Sequence, residues 1–104
     1  MEPEWGTSIL IIAEDFHSVI NISYYTNEDE AYLGTLHVDK EFRNSGRGKE
    51  IFEYAIAWCK EHEFRSVYLW CYKTSWVCKW YKRIGFHEDN ERDNETIWMS
   101  MDIK

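Results

Sequence analysis

Leu36-His37-Val38-Asp39-Lys40-Glu41-Phe42-Arg43-Asn44-Ser45-Gly46-Arg47-Gly48-Lys49 decides how this chain folds. Upstream, Ala31 to Val38 reads as a strand, and strict alternation places Tyr32, Leu36 and Val38 on one face and Leu33, Thr35 and His37 on the other. Downstream the apolar period changes. Ile51, Phe52, Ala55, Trp58, Cys59 and His62 recur at three- and four-residue spacing, the stripe of an amphipathic helix. Between the two periods lies a basic turn with two glycines. Glycine lets backbone approach a ligand closely, and the first N–H groups of a helix have no internal partner. Those donors and the positive end of the helix dipole attract a phosphate group, and Arg43, Arg47 and Lys49 add charge. The spacing is neither that of the P-loop nor GxGxxG, so the turn reads as a generic anion cradle.

Working outward, Ser8 to Ala13 and Val19 to Tyr25 are rich in β-branched and aromatic residues and read as strands. Thr26-Asn27-Glu28-Asp29-Glu30 is the polar turn that joins the second strand to the third. After the first helix, Ser66 to Tyr72 is nearly continuous in apolar and aromatic residues, as a buried central strand should be. Ser75 caps a second helix containing Trp76, Cys78, Trp80 and Tyr81, and Gly85 stops it. Phe86 opens a short strand, Asp89 to Asn94 is a polar turn, and Thr96 to Ile103 alternates as a closing strand. The order βββ-α-β-α-ββ predicts an α+β fold, a mixed and mostly antiparallel sheet flanked by two helices. At 104 residues, the whole of 1–104 is expected to form one domain.

The net charge of −7 is unevenly distributed. Residues 1–39 hold Glu2, Glu4, Glu14, Asp15, Glu28, Asp29, Glu30 and Asp39 and no Lys or Arg, whereas 40–83 carry ten of the twelve basic side chains. A globally acidic chain lacks the basic face that nucleic acid requires. Local basicity suits a small polyanion instead. The N-terminus is acidic, no apolar run reaches membrane-spanning length, and no CxxC pair joins Cys59, Cys71 and Cys78. The expectation is a cytoplasmic protein with reduced thiols, no metal, no membrane and no nucleic-acid partner. Six Trp and seven Tyr supply core area, and their surplus points to a possible homodimer patch.

The quoted stretch closely resembles the coenzyme A signature of the GNAT superfamily of N-acetyltransferases: a strand ending in Val, then Arg/Gln-x-x-Gly-x-Gly/Ala and a helix. Trp80-Tyr81-Lys82-Arg83-Ile84-Gly85-Phe86 is similar to the family's second hallmark, a helix ending Tyr-x-x-x-Gly-Phe. The resemblance covers roughly residues 31–104, where the intervening elements fall in the family's order. It implies a GNAT-like fold and an acetyl-CoA cosubstrate lying where the third and fourth strands splay apart. It also implies coenzyme contacts from Leu36, His37, Val38, Arg43, Asn44, Ser45, Gly46, Arg47, Gly48, Lys49, Thr74, Trp76, Lys79 and Trp80. A neutral amine would attack the thioester directly, and Tyr81 would protonate the departing thiolate.

The sequence departs from the family pattern in three places. The family's Asn near the start of the second helix is replaced by Lys73-Thr74-Ser75. The third strand carries no carboxylate between Tyr32 and Val38; His37 is its only titratable base, with Glu30 and His17 as further candidates. The two helices that precede the family's second strand have no counterpart, which implies an open acceptor side. An acidic neighbourhood there favours a basic acceptor, a protein or peptide amine before a polyamine or an amino-sugar. The competing expectation is a catalytically silent coenzyme-binding or interaction module on the same fold.

Overall fold

The computed structural model describes residues 6–104; the acidic start with Glu2, Pro3 and Glu4 lies outside them. Six strands, β1 (Thr7–Ile12), β2 (Ser18–Tyr24), β3 (Glu30–Val38), β4 (Ser66–Tyr72), β5 (His87–Glu91) and β6 (Thr96–Asp102), form one sheet in the order β1-β2-β3-β4-β6-β5. Helix α1 (Arg47–Glu61) joins β3 to β4, and α2 (Trp76–Ile84) joins β4 to β5. Only β3 and β4 run parallel, so the sheet is mixed and mostly antiparallel, as the element order implies.

Branched side chains explain the first hairpin. Ile9 pairs with Ile22 and Ile11 with Ile20, so four isoleucines share one face of the sheet. Helix α1 buries Ile51, Phe52, Ala55 and Cys59 against that face, and α2 adds Cys78 and Tyr81. Both helices therefore lie on the same side. Ser75 caps α2 by accepting the Val77 N–H at 3.2 Å, and the Gly85 N–H closes it on the carbonyls of Tyr81 and Lys82.

Two expectations need correction. Strict alternation through β3 fails, because Ile20 faces Leu36 while Ile22 faces Leu33: two residues of β3, Gly34 and Thr35, oppose the single Asn21. This β-bulge resets the phase. Leu33 consequently shares the helix-covered face with Leu36 and Val38, and Tyr32 lies on the opposite face. Glycine at 34 permits it, since a Cβ there would lie 2.7 Å from Asn21 Oδ1. The second correction concerns Asp89 to Asn94. Strand β5 continues to Glu91, and the turn is confined to the residues that follow. All five residues of this edge strand are exposed, so no apolar alternation marks it in sequence.

One topological feature positions the site. Strands β3 and β4 pair only where Glu30, Ala31 and Tyr32 face Ser66, Val67 and Tyr68. Beyond that point β3 stays paired with β2 as far as Val38, and β4 stays paired with β6 as far as Tyr72. The sheet forks between them.

Candidate active site

The fork exposes backbone. Asp39 N–H donates to His17 O at 2.8 Å, and an antiparallel ladder alternates the side to which successive residues turn their N–H and C=O. Leu36 and Val38 therefore direct theirs away from β2 and into the fork. The Val38 carbonyl is taken by Arg43 Nε at 2.9 Å, which ties the basic turn to the end of the strand. Among the described residues its N–H has no acceptor, on the side where a strand partner would otherwise lie.

The turn from Arg43 to Lys49 is an amide-lined concavity. Asn44 (φ 63°) and Gly46 (φ 86°) adopt left-handed backbone, and Gly46 is the N-cap of α1 without any side-chain cap. The first intrahelical bond of α1 runs from Glu50 N–H to Gly46 O at 3.0 Å, so the N–H groups of Arg47, Gly48 and Lys49 have no intrahelical acceptor. Successive amides of this kind, at the positive end of a 15-residue helix, form an anion-binding nest. Gly48 lies against the strand end, its Cβ position 3.6 Å from Val38 Cγ2. Ser45 Oγ donates to Phe42 O and fixes the turn.

Nothing but solvent surrounds the Cβ position at Gly46, so substitution there tests conformation alone. Gly46→Val should cost about 1–2 kcal/mol of stability, the cost of a left-handed backbone for an L side chain. Urea denaturation measures it, and a disproportionate loss of acetyl-CoA affinity by calorimetry would show that the nest's shape matters beyond folding.

Of the three cations in the turn, only part of the charge is available. Arg47 pairs with Asp15 and stacks over the Phe42 ring at 4.4 Å, Arg43 holds Val38, and Lys49 makes only a loose contact with Glu53 at 3.8 Å. A groove of about 340 Å³ between the helices brings Lys49 beside Trp80 and Arg83. Arg83 was not anticipated from the motif. Thr74, Trp76 and Lys79 are exposed around the start of α2, and among the described residues no hydrogen bond or ring contact joins them to the turn.

His37 points to the face opposite Val38. Its Nε2 lies 3.2 Å from Asp39 Oδ1, and His17 Nδ1 lies 2.9 Å from Asp39 Oδ2, so one carboxylate bridges two imidazoles. The His17 bond, ahead of that from His37, holds the exposed Asp39 carboxyl below the usual carboxylate range. The bridge is thus complete above that range and is lost as Asp39 protonates in acid.

Tyr81 occupies the other wall. Its ring is 8 % exposed and packs against Phe52, Trp80 and Phe86 at 5.8, 5.3 and 5.6 Å between centroids. Among the described residues its hydroxyl has no hydrogen-bond partner, yet it is not one of the sealed polar atoms, unlike Thr96 Oγ1. Burial above all, with smaller contributions from Cys71 and Tyr32, pushes its pKa up to about 12. A phenol so placed is a proton donor across the whole physiological range.

The three cysteines are free and buried. Burial pushes Cys59 and Cys71 up to about 12, so their thiolate populations at pH 8 are on the order of one in ten thousand. Alkylation of Cys59 and Cys71, followed by peptide mass spectrometry, should therefore be at least about 100-fold slower on the native protein than after denaturation. Among the described residues no three His, Cys, Asp or Glu side chains are grouped as a metal site, and no helix is long and apolar enough to cross a membrane.

Comparison with known proteins decides the family. The profile of the Acetyltransferase (GNAT) family matches residues 6–86, more than half of the chain. The chain belongs to the GNAT acetyltransferase family. Comparison with curated proteins returns no match. Among solved structures, the GNAT fold is shared with the ribosomal-protein-S18-alanine N-acetyltransferase of Escherichia coli, at 17% identity and a TM-score of 0.80, over 99% of this chain and 72% of that one. PaiA N-acetyltransferase of Thermoplasma acidophilum, solved in complex with coenzyme A, is similar at 17% identity and a TM-score of 0.79, over 91% of this chain and 60% of that one. A putative acyl-CoA N-acyltransferase from Klebsiella pneumoniae gives a TM-score of 0.82 at 14% identity, over 94% of this chain and 74% of that one.

Proposed function

We propose that the chain transfers an acetyl group from acetyl-CoA to a primary amine, preferring a protein or peptide amine. The observation that carries this reading is the fork: backbone at Leu36 and Val38 without a strand partner on that side lies between an anion nest at Gly46–Lys49 and the Tyr81 hydroxyl, which has no hydrogen-bond partner among the described residues. These three match the donor in order. Pantetheine amides replace the absent strand partner, the nest takes the pyrophosphate, and the groove edged by Lys49 and Arg83 offers charge for a further phosphate. Family membership supports the same assignment.

The chemistry balances without a covalent enzyme intermediate. An ammonium acceptor first releases one proton to solvent. The neutral nitrogen attacks the thioester carbonyl, and a C–N bond forms as charge develops on oxygen, where the Val38 N–H is the available donor. The C–S bond then breaks, Tyr81 gives its proton to the thiolate, and the second amine proton restores the phenol through water. The products are amide, free CoA thiol and one proton. Holding both reactants at the fork supplies much of the acceleration.

The test is thiol release from acetyl-CoA across a panel of peptides, polyamines and amino-sugars, alongside calorimetric titration of the donor. Amine-dependent release supports transfer. Tight donor binding with no product from any amine would instead make this a silent coenzyme-binding module.

A further inference from the structure

The loop from Lys40 to Lys49 does not hold itself. Its first part, Lys40–Phe42, is a short 3-10 turn that buries no residue, and α1 starts at Gly46 without a side-chain cap. Asn44 and Gly46 sit in left-handed backbone, and three amides at the start of α1 lack intrahelical acceptors. Such a segment keeps one shape only if contacts from outside offset the entropy of ordering it. Across residues 40–49 the side chains of Phe42 and Arg47 are half-buried and every other side chain is exposed. Both are touched by the same neighbour, the turn at 13–17 that joins β1 to β2.

That neighbour grips the loop at three points. At the start, Asp39 donates its N–H to His17 O at 2.8 Å, and its carboxylate accepts from His17 Nδ1 at 2.9 Å. In the middle, the His17 imidazole stacks on Phe42, with 4.0 Å between centroids and 21° between planes. At the end, Arg47, the first residue of α1, pairs with Asp15 and stands 4.4 Å from the same Phe42 ring. The turn presents these groups together. Asp15 accepts the His17 N–H on Oδ1 at 3.1 Å and Arg47 on Oδ2, so both carboxylate oxygens are used. Phe16 between them adopts left-handed backbone, φ 64°, and is 79% exposed. That strained conformation gains no core packing; it leaves Asp15 and His17 both directed at the loop.

The direction of Arg47 argues against the simpler role, a direct phosphate contact. Its side chain lines the cleft between the 13–17 turn and α1, with Glu14, Asp15 and Glu50 beside it. Lys49 lines a different groove, with Trp80 and Arg83. An arginine set among carboxylates has much of its charge already answered.

We propose that the 13–17 turn is part of the donor site, with Asp15 and His17 as positioning residues that hold the nest in its anion-binding shape and Arg47 as the anchor they grip rather than a phosphate ligand. The inference rests on the donor reading above and extends the site to residues outside the signature stretch. A lone surface ion pair contributes little, but one joined to a stacked ring and to hydrogen bonds at the loop's other end acts as part of a network.

Calorimetric titration with acetyl-CoA tests it, on variants whose fold is checked by circular dichroism. Asp15→Asn and Arg47→Gln should each weaken binding about fivefold. The double variant should also lose about fivefold rather than the product of the two, because either change opens the same contact. The exchanged pair, Asp15→Arg with Arg47→Asp, should recover most of the affinity. His17→Leu should weaken binding by a similar factor, by freeing Asp39. A phosphate-binding Arg47 predicts the opposite sign at position 15: removal of a competing carboxylate would tighten binding, and that result would overturn the proposal. Losses that multiply in the double variant, or a folded exchange variant that regains no affinity, would overturn it too. Asp15→Asn and Arg47→Gln alter partly exposed side chains, so they remain informative if the exchange variant does not fold. Unchanged affinity in both single variants would overturn the positioning role while donor binding stands. No binding of acetyl-CoA by the unaltered chain would remove the donor reading and this inference together.

Discussion

Tyr81→Phe should lower kcat by about 100- to 10,000-fold, the range that general acid catalysis contributes, with acetyl-CoA affinity unchanged. The substitution removes one oxygen from a ring held by Phe52, Trp80 and Phe86, so packing is retained. That oxygen has no hydrogen-bond partner among the described residues, so its loss orphans nothing in the fold. The effect should therefore appear in the chemical step and hardly in stability. The raised pKa sharpens the expectation. Burial disfavours the phenolate, so the protonated donor persists to about pH 12. The pH profile of kcat should consequently show no alkaline fall due to Tyr81 within the range the protein tolerates. An alkaline limb near pH 10 that disappears in Tyr81→Phe would contradict the buried-acid assignment. Unchanged kcat in the variant would mean that the thiolate leaves without help from this residue.

How much of this was legible in the sequence depends on whether the determining contact is local. The switch from strand to helix at Gly46 is local: the period changes within a few residues, and every long element lies where that change predicts. The nest is local too, because three consecutive free amides follow from a glycine N-cap. The β3 bulge is not, since it arises where Asn21 of a neighbouring strand approaches Gly34 within 2.7 Å of a Cβ position. Alternation counted along β3 therefore misplaces Leu33 and Tyr32. The same holds for Arg47, whose partner Asp15 lies on another loop, and for the Tyr32–Tyr68–Trp98 ring cluster on the helix-free face, drawn from three separate strands. A usable signal existed for the ring cluster: Tyr68, Trp70 and Tyr72 put aromatics at three successive positions on the helix-free face of β4.

The largest expected effect on stability is that of Phe52→Ala. Phe52 is 1 % exposed and touches Trp80, Tyr81 and Phe86, so it joins α1 to α2 and to the chain entering β5. Truncation of a buried Phe costs about 3–5 kcal/mol, a large share of the roughly 5–15 kcal/mol that holds a domain together. Thermal unfolding should fall by more than about 10 °C. Tyr54 on the same helix is 63% exposed, and Tyr54→Ala should change stability by no more than about 0.5 kcal/mol. The informative variant is Phe52→Leu, which keeps most of the buried volume but loses the tilted contact with Tyr81. A folded Phe52→Leu protein should bind acetyl-CoA normally and turn over more slowly, because the phenol proposed to protonate the departing sulfur is less firmly held. If its kcat matched the wild type, packing around Tyr81 would be a matter of stability alone. If kcat fell while the donor KM held, the helix–helix contact would be positioning the acid as well as closing the core.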